Sequence, residues 1–207
     1  MLTLYRVKLS TNVERVALAM AHKGLRAESI YVPYEERAEI RRVSGQDLVP
    51  VLVDDGKVVI DSMEIVRYLD EHFPNTPHLY PAEPARKADC LVFIDWFNRV
   101  WKRPPNEITA ELEKPEAERD LKRVERPGKA MQDYLDLFEQ MLDGRDYLLG
   151  EFSAADVAAF PFLKYATIHD PNDPHLFHDV LVRFQKPGRD HPRLVDWIKR
   201  VDARPRI

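Results

Sequence analysis

The sequence predicts an α/β unit followed by an all-α unit. Three observations predict it. Up to about residue 75, short apolar runs alternate with segments of helical period in the order β-α-β-α-β-β-α. Pro74, Pro77, Pro81 and Pro84 then cluster and mark a linker. Beyond them the strand signals stop and the remaining periodic segments are helical.

The elements follow in order. Leu2 to Val7 reads as a short strand. Val13, Val16, Ala17, Met20 and Ala21 recur at helical spacing and predict a helix to about Lys23, which Gly24 stops. Ala27 to Val32 reads as a second strand, parallel to the first because a helix joins them. Glu35 to Arg42 is polar and predicts a short exposed helix. Val51 to Asp54 and Lys57 to Ile60 form a hairpin about Asp55-Gly56, a pair that accepts positive φ. Met63 to Phe73 is helical, with Ile65, Tyr68, Leu69 and Phe73 on one side. After the linker, Ala85 to Trp101, Ala117 to Leu142, Ser153 to Ala166 and Pro192 to Val201 read as helices, with Pro104-Pro105 breaking between the first two. His169 to Pro187 reads as mostly irregular, with a short helix near Leu176 to Phe184.

Composition excludes some functions. The 207 residues carry a net charge of -4, which gives no basic surface for nucleic acid. No apolar run approaches the roughly 20 residues that span a bilayer, and the first residues lack a signal-peptide pattern. The lone Cys90 cannot form an internal disulfide and suits a reducing compartment, so a cytoplasmic protein is expected.

Leu48-Val49-Pro50-Val51-Leu52 is the most informative stretch. Proline is tolerated at the first residue of a strand, and a cis Val49-Pro50 bond is possible there. A cis bond would turn the Val49 peptide groups out of the ladder, free to pair with an extended peptide. Asp61-Ser62 opens a helix just beyond, and a helix N-terminus is an anion site. At the other helix start, Thr11-Asn12-Val13-Glu14 fits a capping box, which would leave Ser10 just outside it and free to face a ligand. Asp61-Ser62-Met63-Glu64 fits a second box, and Ser153 with Asp156 a third, the last read as purely structural. His169, His175 and His178 with Asp170, Asp173 and Asp179 match no metal-ligand spacing and read as a polar loop, so no metal is expected. The charged residues from Glu111 to Lys129 read as a solvated helical face.

Three motifs in this order resemble the glutathione transferase superfamily over essentially the whole chain. They are Ser10-Thr11-Asn12-Val13-Glu14-Arg15 running into Val16-Ala17-Leu18-Ala19, Val49-Pro50-Val51-Leu52 followed by Asp61-Ser62, and Ser153 to Phe160. The first looks like the start of the first helix in the serine-type and omega-type members. The resemblance implies a thioredoxin-like N-terminal domain over residues 1–75, a linker over 76–86 and an all-helical domain over 87–207. It also implies a homodimer by analogy, and a glutathione transferase that conjugates the glutathione thiolate to a small electrophile.

The same resemblance implies roles for single residues. Ser10 would donate its hydroxyl to the thiol of glutathione. A free thiol has a pKa near roughly 8.5, so a hydroxyl donor and a helix N-terminus would both favour the reactive anion. Ser62 would hold the γ-glutamyl carboxylate and Asp61 would face the ammonium group. Val49, ahead of Pro50, would pair with the cysteinyl part. Gln46 would meet the glycine carboxylate, with Arg41 or Arg42 behind it. Tyr5 and Asn12 compete with Ser10 for the thiol, and Thr11 stands where a proline often follows the catalytic residue. Trp96 or Trp101 would contact an apolar electrophile or pack in the core. The alternatives are a non-catalytic binding or regulatory protein of the same fold, and an enzyme using another small thiol.

Overall fold

The computed structural model describes residues 1–33 and 36–207. The chain divides into two compact units, Met1–Pro81 with Arg204–Ile207, and Ala82–Ala203. The last four residues, which the sequence groups with the helical domain, therefore belong to the first unit.

The first unit is a four-stranded mixed sheet, built from β1 (Leu2–Arg6), β2 (Glu28–Tyr31), β3 (Val51–Asp54) and β4 (Lys57–Ile60) in the order β2-β1-β3-β4. β1 and β2 are parallel, and β3 is antiparallel to both β1 and β4. Side chains alternate across a strand, so each strand feeds two cores. Leu2, Leu4 and Leu52 face α1 (Thr11–His22) and α3 (Ser62–His72), where they meet Val16, Met20, Ile65 and Leu69. Tyr5 and Val51 face the opposite way and pack with Val32 and Ile40 of α2 (Ala38–Ser44). Glu35, the expected start of α2, lies outside the described residues.

Two ties close this unit. Lys23 Nζ, buried at the end of α1, donates to Asp70 Oδ1 at 2.9 Å and to the Pro77 carbonyl at 3.1 Å. The terminal segment lies on α1, where the Ile207 N–H donates to the Ala17 carbonyl and Arg206 pairs with Glu14 at 3.2 Å.

The second unit is helical: α4 (Pro84–Trp96), a π-turn (Phe97–Trp101), α5 (Arg103–Leu112), α6 (Lys122–Met141), α7 (Ala154–Leu163), α8 (Leu176–Phe184) and α9 (Pro192–Asp202). Its centre is aromatic. Phe97 stacks on Trp101 at 4.5 Å, and Phe138 and Phe162 meet the pair edge-on. Trp101 is fully buried there and is a core residue.

Two expectations are corrected. Pro104-Pro105 do not separate helices but sit in the first turn of α5, where a missing N–H leaves no bond unmade. The charged run from Glu111 to Lys129 is not one solvated face. It spans the end of α5, a 3₁₀ turn and the start of α6, and Glu111 is buried within it. Close approach between α6 and α8 depends on Gly128, where a Cβ would come within 2.6 Å of the Phe184 ring. Among the described residues no helix is long and apolar enough to cross a membrane.

Candidate functional site

The candidate site is built from two helix N-termini on one end of the first unit. β1 stops at Arg6, and the chain turns at Leu9, whose φ of 58° is unusual for a residue with a side chain. That turn delivers Ser10 in extended conformation (φ −87°, ψ 121°), which is what an N-cap requires. Ser10 Oγ accepts from the Val13 N–H at 3.3 Å. The cap is therefore Ser10, and the box expected from Thr11 to Glu14 is a misreading. Thr11 is already helical and buried, and the Glu14 carboxylate is held by Arg206. A hydroxyl has one donor and two acceptor positions. Capping uses an acceptor position, and among the described residues nothing accepts the Ser10 proton.

The second N-terminus is that of α3. Asp61 caps it, with Oδ1 accepting from Met63 N–H at 2.8 Å and Glu64 N–H at 3.2 Å. Asp61 is exposed and holds φ 67°, ψ 129°, a strained setting for a residue other than glycine. The reciprocal half of the expected box is missing, because the Glu64 side chain pairs with Arg67.

Ser62 lies just inside this cap and is only 4% exposed. Its hydroxyl accepts from Arg15 Nη1 at 3.2 Å and donates to Asn12 Oδ1 at 3.4 Å. Asn12 also accepts from Arg15 Nη1. Asn12, Arg15 and Ser62 thus join the tip of α1 to the tip of α3. Burial pushes the Arg15 guanidinium down to about 9, against an opposing pull from Asp61, so it stays cationic at neutral pH. A buried cation beside two helix N-termini makes an electropositive corner. Arg15 has no assigned role in the sequence reading, although a lone cation among the apolar positions Val13, Val16 and Ala17 is a signal for one.

The remaining candidates fall around this corner. The Val49–Pro50 peptide is cis, and strand pairing on β3 begins at Val51, so Val49 lies outside the ladder. Gln46 is half-buried, with its backbone turned by contacts to Ser44 Oγ. Arg41 is taken by Asp47 through two contacts of 2.9 Å, whereas Arg42 has no ion pair among the described residues. Tyr5 lies in the sheet, buried against Val32, Ile40 and Val51.

Two other groupings have structural roles. Ser153 and Asp156 complete their capping box on α7. In the polar loop, His178 Nδ1 contacts Asp173 Oδ2 at 2.6 Å and its ring stacks on Tyr165. No cluster suited to a metal ion is found among the described residues.

Comparison with known proteins agrees with this architecture. Residues 4–77 match the glutathione S-transferase N-terminal domain family and residues 122–200 match the corresponding C-terminal domain family. The chain is 27% identical to glutathione S-transferase GstB of Escherichia coli, over 100% of this chain and 96% of that one. It is 29% identical to glutathione S-transferase U10 of Arabidopsis thaliana, over 58% of this chain and 51% of that one, about half the relative's length. Among solved structures it resembles rice glutathione S-transferase GST1 in complex with glutathione, with a TM-score of 0.76 at 24% identity over 98% of this chain and 86% of that one.

Proposed function

The chain belongs to the glutathione S-transferase superfamily, and on that premise we propose that it conjugates the glutathione thiolate to a small electrophile. Ser10 is the proposed catalytic residue. Its oxygen is fixed by the Val13 N–H, and its own proton is left to donate to sulfur at the tip of α1. That donor arrangement is the observation that carries the reading. A hydrogen bond to the charged form favours ionisation, and the helix N-terminus adds to it. More of the thiol is then the reactive anion at neutral pH.

The donor set fits an anionic tripeptide. The tip of α3 around Ser62, with the Arg15 cation behind it, suits the γ-glutamyl carboxylate. Asp61 is exposed beside it and suits the ammonium group. Val49, ahead of Pro50 and outside the ladder, offers peptide groups to the cysteinyl part, and Gln46 or Arg42 the glycine carboxylate. The chain works as a homodimer in the cytoplasm in this reading. The buried lone Cys90 is consistent with a reducing compartment.

The test is retention on immobilised glutathione together with conjugation of a chlorodinitrobenzene, for wild type and Ser10→Ala. Wild type is expected to bind and turn over. Ser10→Ala is expected to bind but lose activity by about 10²-fold, the scale for removing one donor to a developing anion, with its pH–rate profile moved to higher pH. Equal turnover in Ser10→Ala removes that residue from the mechanism. Binding without turnover in wild type overturns the enzymatic reading in favour of a binding protein.

A further inference from the structure

A small pocket lies within the helical unit, beside the polar loop that leads into α8. It measures about 270 Å³. That falls just below the roughly 300–1,000 Å³ of drug-sized sites, so it suits a ligand of a few heavy atoms. Its lining includes Asp170, Asp173, His178 and Asp179, with Pro171 and Val182 as an apolar wall.

One ring in this lining is fixed and only half engaged. The His178 side chain is 7% exposed. Its ring stacks on Tyr165 at 4.6 Å and meets the His175 ring edge-on at 5.2 Å. Nδ1 lies 2.6 Å from Asp173 Oδ2. A carboxylate only accepts, so Nδ1 carries the ring proton and donates it. Burial holds the imidazole below its ordinary 6.5, helped by His175 and Lys164 and opposed by Asp173. The neutral ring then bears a lone pair on Nε2. Nε2 has no hydrogen-bond partner among the described residues and is not sealed from solvent. It opens on the pocket that the ring lines. Beyond holding the loop, His178 therefore presents a bare acceptor in a locked orientation.

The charge beside that acceptor is negative. Asp173 is engaged by His178 and by the His175 N–H at 3.0 Å, which also covers the positive end of α8. Asp179 pairs with Arg183 at 3.3 Å. Asp170 meets only neutral donors, the Asn172 N–H at 2.8 Å and the Asn172 side-chain amide at 3.2 Å. Among the described residues no lysine or arginine lines the pocket, and no three groups converge as metal ligands. A lone-pair acceptor next to an uncompensated carboxylate calls for a ligand that is both a hydrogen-bond donor and a cation.

We propose that this pocket binds a small organic ammonium ion: one N–H donates to His178 Nε2, the positive charge faces Asp170, and a short alkyl stem lies on Pro171 and Val182. The fixed acceptor gives direction and the carboxylate selects charge. Every lining residue lies in the helical unit and every residue of the proposed glutathione site lies in the other, so the two readings stand or fall separately.

The test is an NMR titration of the full chain, without glutathione, using three probes of equal heavy-atom count: butylammonium, butanol and tetramethylammonium. Butanol donates a hydrogen bond without charge, and tetramethylammonium carries charge without a donor. Butylammonium is expected to saturate at one per chain and to bind about tenfold tighter than either of the others. The nitrogen resonance of His178 Nε2 is expected to move on binding while that of Nδ1 stays. Asp170→Asn keeps the oxygen that accepts from Asn172 and removes the charge. It is expected to lose about tenfold for butylammonium and nothing for butanol. Retention on immobilised glutathione reads the other site and is expected to be unchanged. Equal binding of the three probes, an unaffected Asp170→Asn, an unmoved Nε2 resonance or no saturable binding would each overturn the proposal. So would displacement of butylammonium by zinc, which would assign the pocket to a metal ion.

Discussion

Two helix N-termini that each carry a serine and an aspartate behave differently. At α7, Ser153 and Asp156 close their box completely. The Asp156 carboxylate is fully buried and accepts from the Leu148 and Ser153 N–H groups, the Ser153 hydroxyl and the Trp197 indole. At α3, Asp61 caps with one oxygen, stays exposed and holds a strained backbone. The serine beside it is turned inward, to Arg15 and Asn12. A closed cap has used every donor and supports the fold. An open cap leaves backbone donors and field at a surface, where a ligand can use them.

The largest expected effect comes from breaking the closed end. Asp156→Ala strands four donors inside the helical unit and is expected to destabilise it by about 4 kcal/mol, the scale of losing one partner of a buried charged network. Urea unfolding measures it, and a loss below about 1 kcal/mol would show that the box is not holding α7.

The next effect is on pH. Burial pushes the Asp156 carboxyl up from its ordinary 3.8 to about 6, although the surrounding donors pull it down. A raised folded value means that the protonated form is favoured in the fold. The stabilisation is full below 3.8 and is lost as pH climbs through about 6. Asp156→Asn lacks this dependence. Between about pH 4 and pH 7 the stability difference is therefore expected to move toward the variant by about 2 kcal/mol, at roughly 1.36 kcal/mol per unit. Unfolding curves at several pH values, followed by tryptophan fluorescence, give the slope. A flat difference would place the titration elsewhere.

Smaller effects sharpen the open end. Ser62→Ala removes one acceptor from Arg15 and is expected to cost about 1 kcal/mol of stability. It is expected to weaken glutathione retention about tenfold, a ratio that Asp156→Asn does not share. Asp61→Gly loses the cap but relieves the positive φ, so the net change is expected to lie within about 0.5 kcal/mol. Asp61→Ala, which keeps the strain, is expected to cost about 2 kcal/mol. Equal losses for the two variants would mean that the backbone setting at Asp61 carries no strain.

Much of the fold was legible because each strand and amphipathic helix buries a periodic apolar face. The hairpin about Asp55-Gly56, α3 and α8 lie where the periodicity and turn residues place them. The start of α1 was not legible. Ser10 and Thr11 are equivalent caps on paper, and only the turn at Leu9 decides which of them is extended. α5 was missed because Pro104-Pro105 read as a breaker, while their position in a first turn makes them compatible with helix. The burial of Arg15 was hidden for another reason. Its partner Ser62 is 47 residues away, and no local pattern reports a contact of that span.

By itself the sequence determined the two-unit order, the apolar faces of helices such as α1 and α3, the capping pair at α7 and the resemblance that names the family. These follow from local periodicity and from spacings within one turn of helix, which the chain carries wherever it folds. Only the tertiary structure decided that Ser10 caps α1, that Arg15 is buried as a cation between two helix tips, and that His178 turns one ring nitrogen to Asp173 and the other to a pocket. Those outcomes depend on which elements approach each other, and the distance between two side chains in space is not written in their separation along the chain.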